Sequence, residues 1–271
     1  MKRFIPVLLL LAFCMPFTLR AQPIWVGADE MNGLILEWQK PFLDNSEGAG
    51  FFLSSIYLGY RQRTSESMMI HIELPMSNFD TDARSEFLLG NPYVGLVFGS
   101  EGSMISGDVG VRIPIADEDK AAARRWADFT DIDRMDAFVP NAVPVSGLLR
   151  FRTKFPATKL GLRAHFGPSI VVFTDDRGDD VNDNMQVALK YGLIGFFEDE
   201  MVRAQLGFSG WYDVSADGGG FDSNSLHQIG LTVNVAASDV IWPGLLLRFP
   251  LDDAYKDYID LVLGVNLLIM L

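Results

Sequence analysis

The chain has 271 residues, 49% of them hydrophobic, and its 35 acidic against 22 basic residues give a formal net charge of −13. That balance excludes nucleic acid as a partner, because phosphate binding needs a clustered basic surface. The single cysteine, Cys14, falls in an apolar leader, so the remainder can form neither a disulfide nor a thiolate metal site.

The leader comes first. Lys2 and Arg3 precede a mostly apolar run from Phe4 to Phe17, and Ala21 stands just before Gln22 and Pro23. This is the charged, apolar and cleavable order of a secretory signal, and the run is too short for a spanning helix. Residues 1–21 are expected to be removed, leaving 19 basic against 35 acidic residues and a formal charge of −16. Residues 22–32 are expected to form a periplasmic N-terminal segment ahead of a barrel spanning 33–271.

Beyond the leader no helical periodicity persists, and alternation of apolar and polar residues recurs instead. It predicts about twelve strands, at residues 33–39, 51–63, 67–75, 91–99, 103–115, 143–155, 159–173, 184–197, 201–215, 225–237, 239–249 and 256–271. Most are longer than the usual five or six residues of soluble sheets and long enough for a tilted strand to cross a bilayer. Long and short connections alternate without a break, as they do in an even-stranded outer-membrane barrel with both termini in the periplasm. The long connections carry most of the acid, including Asp80, Asp82 and Glu86, then Asp117, Glu118, Asp119, Asp128, Asp131, Asp133 and Asp136, then Asp175, Asp176, Asp179, Asp180 and Asp183. These are expected to crown the outer face. Divalent cations are the partners such carboxylates would take, although no spacing matches a calcium loop and solvated loops are the plainer reading.

Sorting by parity gives two unlike faces. The last strand sets the pattern, with Ile259, Leu261, Leu263, Val265, Leu267, Ile269 and Leu271 on one side. In the other strands Leu58, Ile72, Leu96, Val109, Leu162, Leu193, Leu206, Leu231 and Leu247 continue that charge-free side, which is expected to face lipid. The opposite side collects Arg61, Glu73, Asp108, Arg112, Arg150, Arg152, Arg163, His165, Lys190, Arg203 and Arg248. On a lumen these are the candidate selectivity residues, and their surplus of positive charge predicts a preference for anions. Glycines on the same side suggest free space. A soluble sandwich would show the same alternation turned inside out, but strand length and loop rhythm favour the membrane. Trp38, Tyr60, Tyr212, Trp242 and Tyr258, near strand ends, fit interfacial girdles.

The third outer loop, 116–142, is the longest and predicts a helix from about Asp119 to Met135, with Asp117 or Asp119 as its cap. Trp126, Phe129 and Ile132 form a stripe that would either fold into the mouth as a constriction or lie along the outer rim, the rim being the simpler placement. No catalytic constellation stands out. Ser225 and His227 share the lipid-facing parity near the outer end of one strand, without a third group evident in the sequence. No enzyme activity, cofactor or metal is therefore expected.

The stretch Gly90-Asn91-Pro92-Tyr93-Val94-Gly95-Leu96, followed by a hairpin ending in Gly110-Val111-Arg112-Ile113-Pro114, resembles the outer-membrane channel family associated with aromatic-compound degradation, of the phenol-degradation meta-pathway type. The resemblance implies a barrel of about this size that passes small molecules. It carries over no catalytic residue, and Asn91 stands where the family's Gly-Asp-Pro has an acid. Together these readings predict an all-β, up-and-down, roughly twelve-stranded transmembrane barrel in a bacterial outer membrane, bathed in lipid and serving as a passive channel for small solutes. A closed structural or surface-interaction barrel is the alternative, and a lipid-modifying barrel enzyme comes third.

Overall fold

The computed structural model describes residues 32–43, 52–100, 102–175, 184–216, 218 and 220–271. The expected signal, most of the segment that follows it, and Asp176, Asp179, Asp180 and Asp183 lie outside the described residues.

The alternating segments form β1 (Gly33–Phe42), β2 (Phe52–Ser65), β3 (Met68–Asp80), β4 (Ser85–Leu89), β5 (Tyr93–Phe98), β6 (Ile105–Arg112), β7 (Ala142–Lys154), β8 (Leu160–Phe173), β9 (Met185–Glu198), β10 (Val202–Asp213), β11 (Ser225–Val235), β12 (Ile241–Pro250) and β13 (Leu261–Met270). All pairings are antiparallel. The sheet closes where β1 meets β13, from Gly33 opposite Met270 to Phe42 opposite Leu261. β4 and β5 share one partner: β4 pairs with the outer half of β3, Met76 opposite Leu89, and β5 with the other half, Met68 opposite Phe98. They are one stave of a twelve-stave barrel, interrupted at Gly90-Asn91-Pro92.

The interruption has a local cause. Pro92 has no amide hydrogen to give a ladder and restricts Asn91 before it. A side chain on Gly90 would collide with the Ala137 carbonyl and the Phe138 ring, which press on the backbone from inside the barrel. Expected loop 76–90 is therefore mostly hairpin, because β3 runs on to Asp80 and β4 returns along it.

The faces sort as period two demands. Leu58, Ile72, Leu96, Val109, Leu162, Leu193, Leu206 and Leu231 are exposed on the outside, while Arg61, Glu73, Asp108, Arg112, Arg163, Lys190 and Arg248 are buried within. An apolar belt outside a hydrogen-bonded, edgeless sheet is what a bilayer requires. Trp38 stacks on Phe52 at the long-loop end, with Lys40 over the Phe52 ring at 5.6 Å, as in an interfacial girdle.

Three expectations about the wall are corrected. β13 begins at Leu261, so Ile259 is not lipid-facing; it is fully buried in a loop core with Ile132, Tyr255 and Val262. Trp242 belongs to no girdle, because its parity in β12 turns it inward, where it packs with Ile35 and Leu268. Inward glycines of β5 and β6 do not leave space: a Cβ at Gly95 or Gly110 would strike the Tyr93 ring, which lies across both.

If the outer parity meets hydrocarbon, Leu231→Arg, at the middle of β11, should lower stability by about 2–4 kcal/mol in lipid vesicles. Urea titration followed by the gel-mobility shift of the folded barrel checks this. A change near zero would place Leu231 in water.

Candidate functional site

The third outer loop occupies the lumen. Its helix α1 (Ala121–Thr130) is followed by a 3-10 turn, Ile132–Ala137, in place of the single helix expected over 119–135. Asp119 does not cap α1. The Asp117 side chain accepts from the Asp119 N–H, and the Ala123 N–H in the first turn of the helix donates instead to Glu86 of β4 at 2.9 Å. A carboxylate at a helix N-terminus is favoured by the unpaired amides and the dipole there. Ala123, Ala127, Ala137 and Phe138 then pack against Leu53, Tyr57, Phe79 and Leu88 on the inner wall. The rim placement is thus overturned, since small alanines let the helix lie flush against the strands inside the mouth.

Beyond α1 the chain turns into the barrel axis and carries four charged side chains with it. Arg134 is the centre. Its Nη2 donates to Glu37 at 2.8 Å, its Nη1 to Glu73 at 2.9 Å and its Nε to Asp131 at 2.8 Å, and its guanidinium lies 3.5 Å from the centre of the Tyr57 ring. Asp136 receives Arg112 at 3.1 Å, Lys190 at 2.7 Å and the Ser169 hydroxyl at 2.9 Å. Asp131 also pairs with Arg248 at 2.7 Å, and Arg248 donates to Gln39. Asp133 accepts from Gln228 at 2.8 Å and Ser209 at 3.0 Å. One six-residue turn and the residue before it thereby hold β1, β3, β6, β8, β9, β10, β11 and β12.

Asp131, Asp133 and Asp136 were expected on the outer crown and are instead buried. Burial alone would raise the Asp131 carboxyl, but Arg134 and Arg248 outweigh it and hold the group at about 2. Asp136 is likewise depressed below the usual range, burial being overcome by Lys190 and Arg112. The Arg134 guanidinium is raised, its desolvation outweighed by Asp131, Glu37 and Glu73.

Of the candidate lumen residues, Glu73, Arg112, Lys190 and Arg248 grip the loop. The others line the inner wall. Asp108 accepts from the Tyr93 hydroxyl at 2.6 Å, Arg163 donates to Gln205 at 2.7 Å, Arg152 pairs with Glu198 at 2.5 Å, and Arg203 lies 4.4 Å from the centre of the Trp242 ring. Arg61, Arg150 and His165 are buried on the same side. The stripe Trp126, Phe129 and Ile132 is not the constriction. Phe129 stacks on Tyr258 at 4.8 Å, Ile132 packs with Tyr255 and Ile259, and Trp126 flanks the alanine contact, so all three fasten the loop to its surroundings. The charged turn does the narrowing: a residual cavity of about 20 Å³ lies among His71, Tyr93, Arg134 and Lys190, room for about one water.

Asn91 fastens both stems of the loop. Its Oδ1 accepts the Ile115 and Ala116 amides at 2.9 Å each, its Nδ2 donates to the Val139 carbonyl at 2.6 Å, and its own amide donates to Ala137 at 2.7 Å. The motif at the stave's interruption is therefore a clasp. Sequence reading missed Glu37, Asp131, Asp133, Arg134 and Asp136 as a unit. The available signal was charge set among Ile132, Met135, Ala137 and Phe138, which an open loop has no reason to combine.

No protein-family model matches the chain, and no curated protein is a detectable relative. Solved structures do match over most of its length. LpxR from Salmonella typhimurium superposes with a TM-score of 0.51 at 10% identity, covering 89% of this chain and 100% of that one. The beta domain of the Bordetella autotransporter BrkA gives 0.51 at 11% identity, covering 89% and 100%. The KdgM porin gives 0.49 at 9% identity, covering 88% and 99%. The fold is that of an outer-membrane β-barrel, and at such identities the likeness extends to the fold alone.

Removing the central cation leaves Glu37, Glu73 and Asp131 facing one another in the lumen. Arg134→Met should weaken docking of the loop by about 3–5 kcal/mol, read as new chymotrypsin cleavage at Phe129 or Phe138 in the folded barrel. Unchanged protection would mean that the apolar contacts suffice. The depressed carboxyls of Asp131 and Asp136 stabilise the docked loop above their ordinary values near 4 and cease to as pH falls through their docked values. Protection should hold from pH 7 to about 4 and be lost toward pH 2. Loss already at pH 6 would assign docking to other groups.

Proposed function

We propose that the chain is a small-solute channel of a bacterial outer membrane whose third outer loop is its gate, closed in this conformation. The observation that carries this reading is the nature of the contact between turn and wall. The deepest part of the loop meets the wall through ion pairs and hydrogen bonds, which water can replace, while its apolar anchor lies at the mouth. A permanent filling would more simply be apolar, because buried ion pairs contribute little net stability over apolar packing of the same volume.

The charge of the open pore follows from the closed one. Asp131 and Asp136 neutralise Lys190 and Arg248 and share Arg112 with Glu73, so withdrawing the loop with its Arg134 exposes three cations and the carboxylates Glu37 and Glu73 on a wall that already carries Arg61, Arg150, Arg163 and Asp108; among these residues six cations face three acids. Fixed positive charge selects anions. Small anionic or aromatic-acid solutes suit such a lumen, and the resemblance of the 90–96 and 110–114 segments to aromatic-compound channels supports the second group.

A closed structural barrel is the second reading, favoured by one observation. Ile35, Trp242 and Leu268 form an apolar patch on the inner wall toward the short-turn end, and Ile194 meets Leu246 nearby. Planar-bilayer recording of the intact protein and of a variant lacking residues 119–135 separates the two. A gated channel gives rare or small openings in the first and steady, anion-selective conductance in the second. Absence of conductance from a correctly folded deletion variant would leave the structural barrel.

A further inference from the structure

A second cluster of chemistry-bearing groups lies on the outside of the barrel, where neither lumen nor loop reaches. His227, third residue of β11, shares the outward parity of Ile229 and Leu231. Its Nδ1 is 2.8 Å from Asp252 Oδ1, and the other oxygen of that carboxylate accepts the His227 backbone N–H. Asp252 follows the end of β12, and the Leu251 amide beside it donates to the His227 carbonyl. The histidine is therefore fixed at both its backbone and its ring. A carboxylate on Nδ1 places the proton there and leaves Nε2 as the acceptor.

What Nε2 faces is a hydroxyl. Tyr191 of β9 lies 2.7 Å away through its Oη, reaching across β10 at Gly210. A side chain at that glycine would strike both the Tyr191 ring and the His227 ring, so the contact exists only because position 210 has none. Ser225, two residues before His227 on the same outward face, lies beside Tyr191, and in this conformation its hydroxyl donates to the Phe221 carbonyl. Asp252, His227 and Tyr191 form one chain from carboxylate through imidazole to phenol, with the Ser225 hydroxyl beside its end and freed to turn to Tyr191 once the Phe221 carbonyl is displaced. Its surroundings are aromatic: the Phe208 ring stacks on the imidazole at 5.3 Å, and Phe221, half exposed, lies 5.7 Å from it. Aromatic residues at the end of membrane strands mark the interface, the depth at which the acyl ester carbonyls of lipids sit.

We infer that Asp252, His227, Tyr191 and Ser225 form a hydrolytic site for acyl esters of outer-leaflet amphiphiles. Ser225 Oγ attacks the ester carbonyl as its proton passes to Tyr191 Oη and the phenolic proton passes to His227 Nε2. Asp252 stabilises the imidazolium so formed. The proton returns along the same path to the leaving alkoxide, giving an acyl-serine and a free alcohol. Water then attacks the acyl-serine through the same relay, releasing the carboxylic acid and restoring Ser225. No cofactor enters. Ser225 is covered here by the short 3-10 turn Phe221–Ser223, whose Phe221 carbonyl accepts its hydroxyl at 2.5 Å, so an acyl chain must displace that turn to reach it.

The ester could belong to a glycerophospholipid or to an acylated glucosamine of lipopolysaccharide, and two substrates tell them apart. The intact protein is reconstituted into vesicles of phosphatidylethanolamine alone or with added lipopolysaccharide, and released fatty acid is measured. Release from the first assigns phospholipid, and release only from the second assigns lipopolysaccharide. Ser225→Ala and His227→Asn should each reduce the rate at least ~100-fold, and Tyr191→Phe, which breaks the relay while keeping the ring, by a similar factor. Retention of the heat-dependent gel shift confirms that each variant is folded. The proposal is falsified if folded wild-type protein releases no fatty acid from either vesicle, or if Ser225→Ala keeps the wild-type rate. Conductance is unaffected by these outward substitutions, so this test and that of the channel reading fail independently.

Discussion

The interior of this barrel is organised by the requirement that a charge taken out of water meet an opposite charge or a hydrogen-bond partner. Arg134 on the barrel axis could not stay there alone, since a desolvated guanidinium without counter-charge is far costlier than one in water. Glu37, Glu73 and Asp131 surround it, and those carboxylates with Asp136 draw in Arg112, Lys190 and Arg248. The result fixes the depth and rotation of a loop that apolar contacts alone would leave free to slide. Buried ion pairs add specificity of position more readily than net stability, and here they set the position of the loop within the barrel.

Two other features become intelligible from that requirement. The stave is broken at Gly90-Asn91-Pro92 because the loop's exit strand passes close to the wall there, and a continuous ladder with side chains would exclude it. Asn91 suits this position better than an aspartate, since its amide both accepts from the entering stem and donates to the leaving one. An aspartate would set its oxygen against the Val139 carbonyl. Glu86 of β4 serves the same end at the mouth by holding the first turn of α1.

Every strand but β4 to within about five residues, closure with an even number of staves, and the inward set from Arg61 to Arg248 were legible in the sequence. They rest on period two and on loop length, which local pattern expresses directly. The content of the lumen was not legible, because parity says which way a wall residue points and nothing about what meets it. Asp131, Asp133 and Asp136 looked like solvated acid; their partners lie on strands up to 117 positions away in sequence, as with Asp131 and Arg248. Trp242 was misread for the reverse reason: it is an apolar residue on the wet parity, as is the Leu268 it packs against. At the outer site the Ser225 and His227 pair was visible, but Asp252 comes beside it only once β11 and β12 pair.

The turn in the lumen also bears on how the chain becomes a cylinder. Closing the seam between β1 and β13 brings together segments at opposite ends of the polypeptide, a contact whose entropic cost grows with the length of intervening chain. Arg134 reaches Glu37 on β1 across 97 positions, and Asp131 of the same turn holds Arg248 on β12, next to the other side of that seam. Gln39 and Arg248, 209 positions apart, are thus joined through a midpoint. A turn bound to both margins acts as an internal template, dividing one long closure into two shorter ones.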